Sequence, residues 1–426
     1  MMDKWIFSCP APECGEIVEG FYNAGPMLKN DREGFTDEDS KMQIVKGVTR
    51  ADFDEYKKKL SSAGYKIESE NEIGANAYFD FGEYHAAYFE KRGEIRVTED
   101  KIKTPLDKFG YTSHGGKTTV YQYGLYYDKK NQCTETTVNC GMIYVIKLCD
   151  DSLVMIDGGH LLQWNEEAEE GLWNFLKTIT NSKDGKVRIA AWYFTHAHDD
   201  HTDGCTKLLR RHGSDISLER VMFNMPSYKT VRGSYSDTVF DMKKTIAELY
   251  PNAMLLKVHS GYKFTLADAE FEFMYAHEDA VNAENPAVFP PRDFNCTSSV
   301  FRLTVDGKTV MFLGDTNVET EKILSEITER ASWKSDFVQV AHHCFNYLDT
   351  LYEWIDAPIA MLPNSYFGGH TPENTPKLAG VIKHLETPDN IYYEGEGTYG
   401  FEVVDGKWKK VYEAPVTGGE YDHSGF

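Results

Sequence analysis

A chain of 426 residues exceeds what one hydrophobic core comfortably fills, so two domains are expected, one of them large. Its 45 Lys and Arg against 67 Asp and Glu leave a formal net charge of −22, a field that repels polyanions and disfavours long nucleic acid as a partner. With 41% hydrophobic residues but no stretch near the roughly 20 apolar residues of a bilayer span, a globular protein with no membrane partner is expected. The opening MMDKWIFSCPAPECGEIVEG has a single Lys and only a short apolar patch, which is no signal-peptide core. It contains Cys9 and Cys14, two of eight cysteines without a CxxC pair, which is the pattern of reduced thiols and of a cytoplasmic location.

Residues 51–64 place Phe53, Tyr56 and Leu60 on one face and stop at Gly64, a short amphipathic helix. The Tyr/Phe/Val-rich segment after it, broken by glycines, reads as two or three antiparallel strands. Residues 1–112 are thus a small α+β module, and its His85 has no metal-ligand spacing. From Thr118 the texture changes. Strands are expected in TVYQYGLYYD, GMIYVIKLCD, SLVMIDGG, RIAAWYF, EFEFMYAHE, SSVFRLTVDGKTVMFLGDT, DFVQVAHHC and APIAMLPNS, with helices across 165–180, 237–250, 319–330 and 375–385. Strands in blocks separated by helices imply sheets covered by helices, here in a domain over 113–426.

The apolar run IAAWYFT ends in His196-Ala197-His198-Asp199-Asp200-His201. Burying several imidazoles and a carboxylate unpaired costs several kcal/mol, on the order expected for unsatisfied polar and charged groups, and a divalent cation removes that cost. Nitrogen and oxygen donors of this kind suit Zn²⁺, with Mn²⁺ or Fe²⁺ as alternatives.

This segment resembles the HxHxDH motif of the metallo-β-lactamase superfamily, and three further motifs follow the family order from Thr118 to Ala414. Ile156-Asp157-Gly158-Gly159-His160 is similar to the strand-ending Asp that supports the metal loop. Phe312-Leu313-Gly314-Asp315-Thr316 resembles the GD motif with its metal-bridging Asp, and Val340-Ala341-His342-His343-Cys344 resembles the last histidine motif. The resemblance implies an α/β (α+β) four-layer αββα sandwich and a site for two Zn²⁺ per chain. His196 and His198 would hold the first, Asp200, His201 and His343 the second, with Asp315 bridging. His342 is then left to the substrate side, and if the strand runs on, the two adjacent imidazoles diverge. A Gly or Ser is common after this pair in the family, so Cys344 is a departure.

The finer pattern, with Asn295 to Val300, the GD and HH motifs and Tyr366-Phe367-Gly368-Gly369-His370 in order, resembles the branch of the ComEC-type competence proteins and the choline-phosphate esterases. Many other members carry an extra histidine before the GD strand, and Asn295 stands in its place. His259 or His277 could complete the first metal instead, His277 being better placed at the end of a strand. In this branch the late histidine, here His370, faces substrate.

Two cations about 3.5–4 Å apart lower the pKa of a shared water to ~7, so a metal-bridging hydroxide is the implied nucleophile, with Asp199 or Asp200 able to pass a proton, although Asp200 is already occupied as a ligand. The catalytic set is therefore Asp200, His342 and His370, and the substrate a small ester or phosphoester, with a phosphodiester such as a choline-phosphate type in view. Tyr228, Tyr235, Tyr347, Tyr366 and Trp164 are candidates for an aromatic cage around such a cation. The alternatives are a metal-dependent nuclease of the competence-protein type, which needs a basic groove, and a catalytically idle metal-binding protein of the same fold. A redox enzyme of this fold is disfavoured, because the di-iron branch carries a carboxylate where His198 stands. The sequence assigns no oligomeric state and no role to residues 1–112.

Overall fold

The computed structural model describes residues 5–18, 41–100, 116–126, 141–159, 166–180, 185–225, 237–284, 294–385 and 387–417. The boundary expected at 112/113 falls outside them. A capping box of Thr49 and Asp52 starts the first helix, Arg50–Ser62, whose Phe53, Tyr56 and Leu60 are buried as their spacing requires. They pack on a six-stranded antiparallel sheet ordered Glu16–Ile17, Lys41–Lys46, Glu94–Glu99, Tyr84–Phe89, Asn76–Phe81, Ser69–Ile73. Four strands lie between residues 69 and 99, where two or three were expected. Gly74 and Gly82, both at positive φ, turn the chain tightly enough to fit the extra hairpin.

The rest of the chain forms two larger sheets. The first has nine strands, and its strands Leu153–Ile156, Val187–Tyr193, Arg220–Phe223 and Met254–Lys257 run parallel. The second has seven, antiparallel from Lys263–Leu266 through Lys308–Phe312 and parallel onward through Phe337–Gln339, Ile359–Leu362 and Ile391–Tyr393. Each buries both faces. Leu153 and Met155 pack with Leu172, Leu176, Leu208 and Met242 of the helices Glu166–Ile179, Asp199–His212 and Asp237–Leu249. Val154 and Ile156, on the opposite pleat, meet Phe271, Phe273, Phe301 and Phe312 of the second sheet. The far face of that sheet is covered by Leu324, Leu351 and Val381 from the helices Val318–Ile327, Asp349–Ile355 and Thr375–Ile382. The order helix, sheet, sheet, helix is the four-layer αββα sandwich expected. None of the described helices is long and apolar enough to cross a membrane.

The N-terminal sheet shares this last core, contributing Ile73, Tyr78, Ala87 and Phe89. Gly261, at φ +84, packs against this sheet, and an added Cβ there would lie 2.0 Å from Tyr78 Cγ. Gly261→Ala combines left-handed strain with overpacking and is expected to cost at least about 2 kcal/mol. An unchanged urea midpoint would contradict this close approach.

Candidate metal centre

In both large sheets the parallel strands point their carboxyl ends to one edge, where layered α/β folds collect their ligands. Asp157 follows the strand Leu153–Ile156 at φ 57. That turn carries its carboxylate across to the next strand, where it accepts from Thr195 N at 2.8 Å, Thr195 Oγ1 at 2.9 Å and His201 Nδ1 at 2.7 Å. His196 follows Thr195, His198 is the N-cap of the helix Asp199–His212, and Asp200 and His201 lie in its first turn, where a helix favours negative charge. One local stretch therefore brings three imidazoles and a carboxylate to the edge.

The second sheet supplies the opposite wall. Gln339 Oε1 accepts from Leu313 N and Gly314 N, each at 2.8 Å, and Ser298 Oγ accepts from Asp315 N at 3.0 Å. Gly314, at φ +55, lets this loop close in, since a Cβ there would sit 3.0 Å from Thr195 Cβ. The strand before the two histidines ends at Gln339, and His342, His343 and Cys344 all adopt positive φ, 47, 49 and 66°. Each non-glycine residue in that region costs about 1–2 kcal/mol. The strand thus does not run on, so the condition under which the two imidazoles would diverge is not met. His343 Nε2 lies 3.4 Å and His342 Nε2 4.0 Å from the same oxygen, Asp315 Oδ2.

The donor atoms fall into two groups that share Asp315. Asp200, His201, Asp315 and His343 offer ligand atoms all within 4.8 Å of one another, with His201 Nε2 3.2 Å from Asp315 Oδ2 and His343 Nε2 3.2 Å from Asp200 Oδ2. On the other side His196 Nε2 is 3.0 Å from His198 Nδ1 and 3.9 Å from Asp315 Oδ2. His201 Nε2 and both Asp315 oxygens are buried without a hydrogen-bond partner, a costly arrangement that divalent cations relieve. The other ring nitrogens are already engaged. Besides the bond from His201 to Asp157, His343 Nδ1 donates to Pro363 O at 2.8 Å and His196 Nδ1 is 3.0 Å from Thr195 Oγ1, the bracing that metal-ligating histidines commonly have. The residues fit a divalent cation of the Zn²⁺, Mn²⁺ or Fe²⁺ class.

Electrostatics agree. Burial and the neighbouring imidazoles hold His196 well below its ordinary pKa, so it is neutral. Burial alone would raise Asp315, but His201 and His343 outweigh it and hold the carboxyl well below its usual range. Burial would likewise lower His201 and His343, yet the facing carboxylates raise both well above the usual imidazole value. A cation bound between them would displace protons.

Comparison with known proteins adds partial likenesses. The chain is similar to the metallo-β-lactamase fold protein YhfI from Bacillus subtilis, at 9% identity over 65% of this chain and 96% of that one, with a TM-score of 0.35. It is similar to Zn²⁺-bound PqqB from Methylobacterium extorquens, at 9% identity, 65% and 96% coverage and a TM-score of 0.36. A diphosphatase of the PhnP family matches at 13% identity, 70% and 99% coverage and 0.34. No protein-family model and no curated protein matches. At these scores the site stands on its own geometry.

Of the remaining candidates, Asn295 stands beside His342, its Nδ2 3.1 Å from His342 Nε2. His259 is held on both nitrogens, by Glu278 and by Asp100 at 2.5 Å, and stacks on His85 at 4.8 Å. It therefore serves the contact with the N-terminal sheet. His277 Nε2 is 2.8 Å from Asn224 Oδ1. His370 is exposed; its Nδ1 donates to Tyr366 O at 2.7 Å and its ring stacks on Tyr366 at 4.0 Å, contacts that do not join it to the histidine–aspartate cluster. Tyr347 and Tyr366 are exposed, whereas Tyr228, Tyr235, Trp164 and His160 lie outside the described residues. Sequence reasoning missed Thr195, Gln339, Ser298 and Asn346, polar residues whose role is visible only through partners distant in the chain.

Asp157→Asn would offer an amide where His201 Nδ1 and Thr195 need acceptors. A loss of metal affinity of about 10–100-fold is expected, measured by chelator competition; undiminished affinity would contradict the bracing.

Proposed function

We propose that the chain is a metal-dependent hydrolase of the metallo-β-lactamase superfamily, acting on a small phosphoester or phosphodiester. The observation that carries this reading is the sharing of Asp315, a buried carboxylate, between two sets of imidazoles. Two divalent cations bound there would supply a water of lowered pKa and a Lewis-acidic hold on a substrate oxygen. We take them to be zinc, in keeping with the nitrogen and oxygen donors.

The chain's own residues do the rest. Asp157, Pro363 and Thr195 fix the rings, so the donors are aligned before substrate arrives. His196, His201, Asp315 and His343 are at most 1% exposed, which keeps bulk water from the inner wall. His198, Asp200 and His342 are partly exposed and form the mouth, so substrate meets them first. The net charge of −22 favours a small substrate over a polymer, and the described cysteines, all free, support a reducing, cytoplasmic setting. The test is metal analysis of purified protein together with a panel of phosphomonoesters, phosphodiesters, carboxylesters, lactones and β-lactams. Turnover of a phosphodiester that is lost on chelation and restored by zinc is expected. A metal-loaded protein inert on the whole panel would leave the idle metal-binding reading.

A further inference from the structure

His342 lies between two side-chain amides. Asn346 Nδ2 is 2.6 Å from its Nδ1, and Asn295 Nδ2 is 3.1 Å from its Nε2. A neutral imidazole has one proton and one ring lone pair, so it accepts from one amide nitrogen only, and the other amide must present its oxygen. The Thr316 carbonyl decides which. It lies 3.3 Å from the same Asn346 Nδ2, and a carbonyl can only accept, so Asn346 keeps its amino group there and His342 Nδ1 is the acceptor. The proton then sits on Nε2, the nitrogen 4.0 Å from Asp315 Oδ2, and Asn295 meets it with its oxygen.

We propose that Asn346 holds His342 as the Nε2–H tautomer, so that His342 is a hydrogen-bond donor to an anionic substrate oxygen and not a metal ligand, with Asn346 its positioning residue. The left-handed backbone at His342, φ 47, points the ring at the centre, and its side chain is 17% exposed, within reach of an incoming molecule. An oxyanion is a stronger acceptor than the neutral Asn295 amide and displaces it. Since Nε2 has no lone pair, His342 does not replace the histidine missing at position 295. His196, His198 and Asp315 are then the protein donors on that side, leaving room for a substrate oxygen. The donor role rests on the hydrolase reading, whereas the tautomer does not.

Nitrogen-15 histidine NMR of the full chain, zinc-free and zinc-loaded, tests the tautomer, with the His342 signals identified by their loss in His342→Gln. The Nε2–H pattern is expected in both states. A proton on Nδ1, or an Nε2 shift to the metal-bound range when zinc is added, would overturn the proposal. Asn346→Asp provides a second arm, because a carboxylate accepts only and draws the proton to Nδ1. The freed Nε2 lone pair is expected to tighten zinc binding about tenfold or more and to lower kcat for bis(p-nitrophenyl) phosphate about a hundredfold, with KM changed less. Wild-type zinc affinity and kcat in this variant would also overturn it. A wild-type protein with the Nε2–H pattern that hydrolyses no ester would instead remove the hydrolase reading and leave the tautomer standing.

Discussion

Asp315→Ala is expected to lower phosphodiester hydrolysis by on the order of a thousandfold or more and to leave the protein with less bound metal than wild type. Asp315 Oδ2 is the atom on which the two halves of the centre converge, 3.2 Å from His201 Nε2, 3.4 Å from His343 Nε2 and 3.9 Å from His196 Nε2. Its removal deprives both halves at once. His198→Ala takes a donor from one half only, so a smaller loss of metal is expected. Metal content by plasma emission and steady-state rates, with circular dichroism as a check on folding, measure both. Full activity in Asp315→Ala would mean that hydrolysis occurs elsewhere or that the assigned centre is wrong.

His259→Ala is expected to destabilise the protein by about 3–5 kcal/mol, the usual cost of breaking a buried charge pair from one side. His259 bonds Glu278 and Asp100, and all three side chains are nearly inaccessible. Asp100 follows the last strand of the N-terminal sheet, so the loss also loosens that sheet, which Arg96 holds from the same strand through Asp279. Burial alone would lower His259, but Glu278 and Asp100 outweigh it and raise its pKa from 6.5 to about 10. Its stabilisation is thus complete below pH 6.5 and is lost as pH rises through about 10. Burial alone would raise Glu278, but His259 outweighs it and brings its pKa from 4.5 to about 2. That contribution is complete above pH 4.5 and is lost as pH falls through about 2. Both act fully between pH 4.5 and 6.5, where urea denaturation should show the largest gap between wild type and variant. The gap should narrow above about pH 10 as the imidazolium deprotonates. A gap that widened with rising pH would contradict a charged His259.

Although the helices Asp199–His212 and Asp349–Ile355 were not singled out, the helices Glu166–Ile179, Asp237–Leu249, Val318–Ile327 and Thr375–Ile382 and the strands that carry the motifs were legible because their apolar periodicity is local. The same holds for the 196–201 cluster, six consecutive residues at the end of an apolar run. The short strands Glu16–Ile17 and Lys41–Lys46 and the hairpin Thr398–Val404 with Lys407–Ala414 were not singled out. Their hydrogen bonds go to distant segments, and nothing in their own pattern marks them.

What the sequence by itself determined is the donor inventory: which imidazoles and carboxylates could grip cations, and in what order they follow the strands. What only the tertiary structure decided is the role of each donor. His259 could be removed from the ligand candidates only when Glu278 and Asp100, 19 and 159 residues away, were found on its two nitrogens. His342 and His343 could be placed only when the backbone was seen to kink through positive φ. The physical reason is the same in both cases. A side chain's chemistry belongs to its residue type, but its charge, tautomer and direction are set by neighbours that the fold supplies.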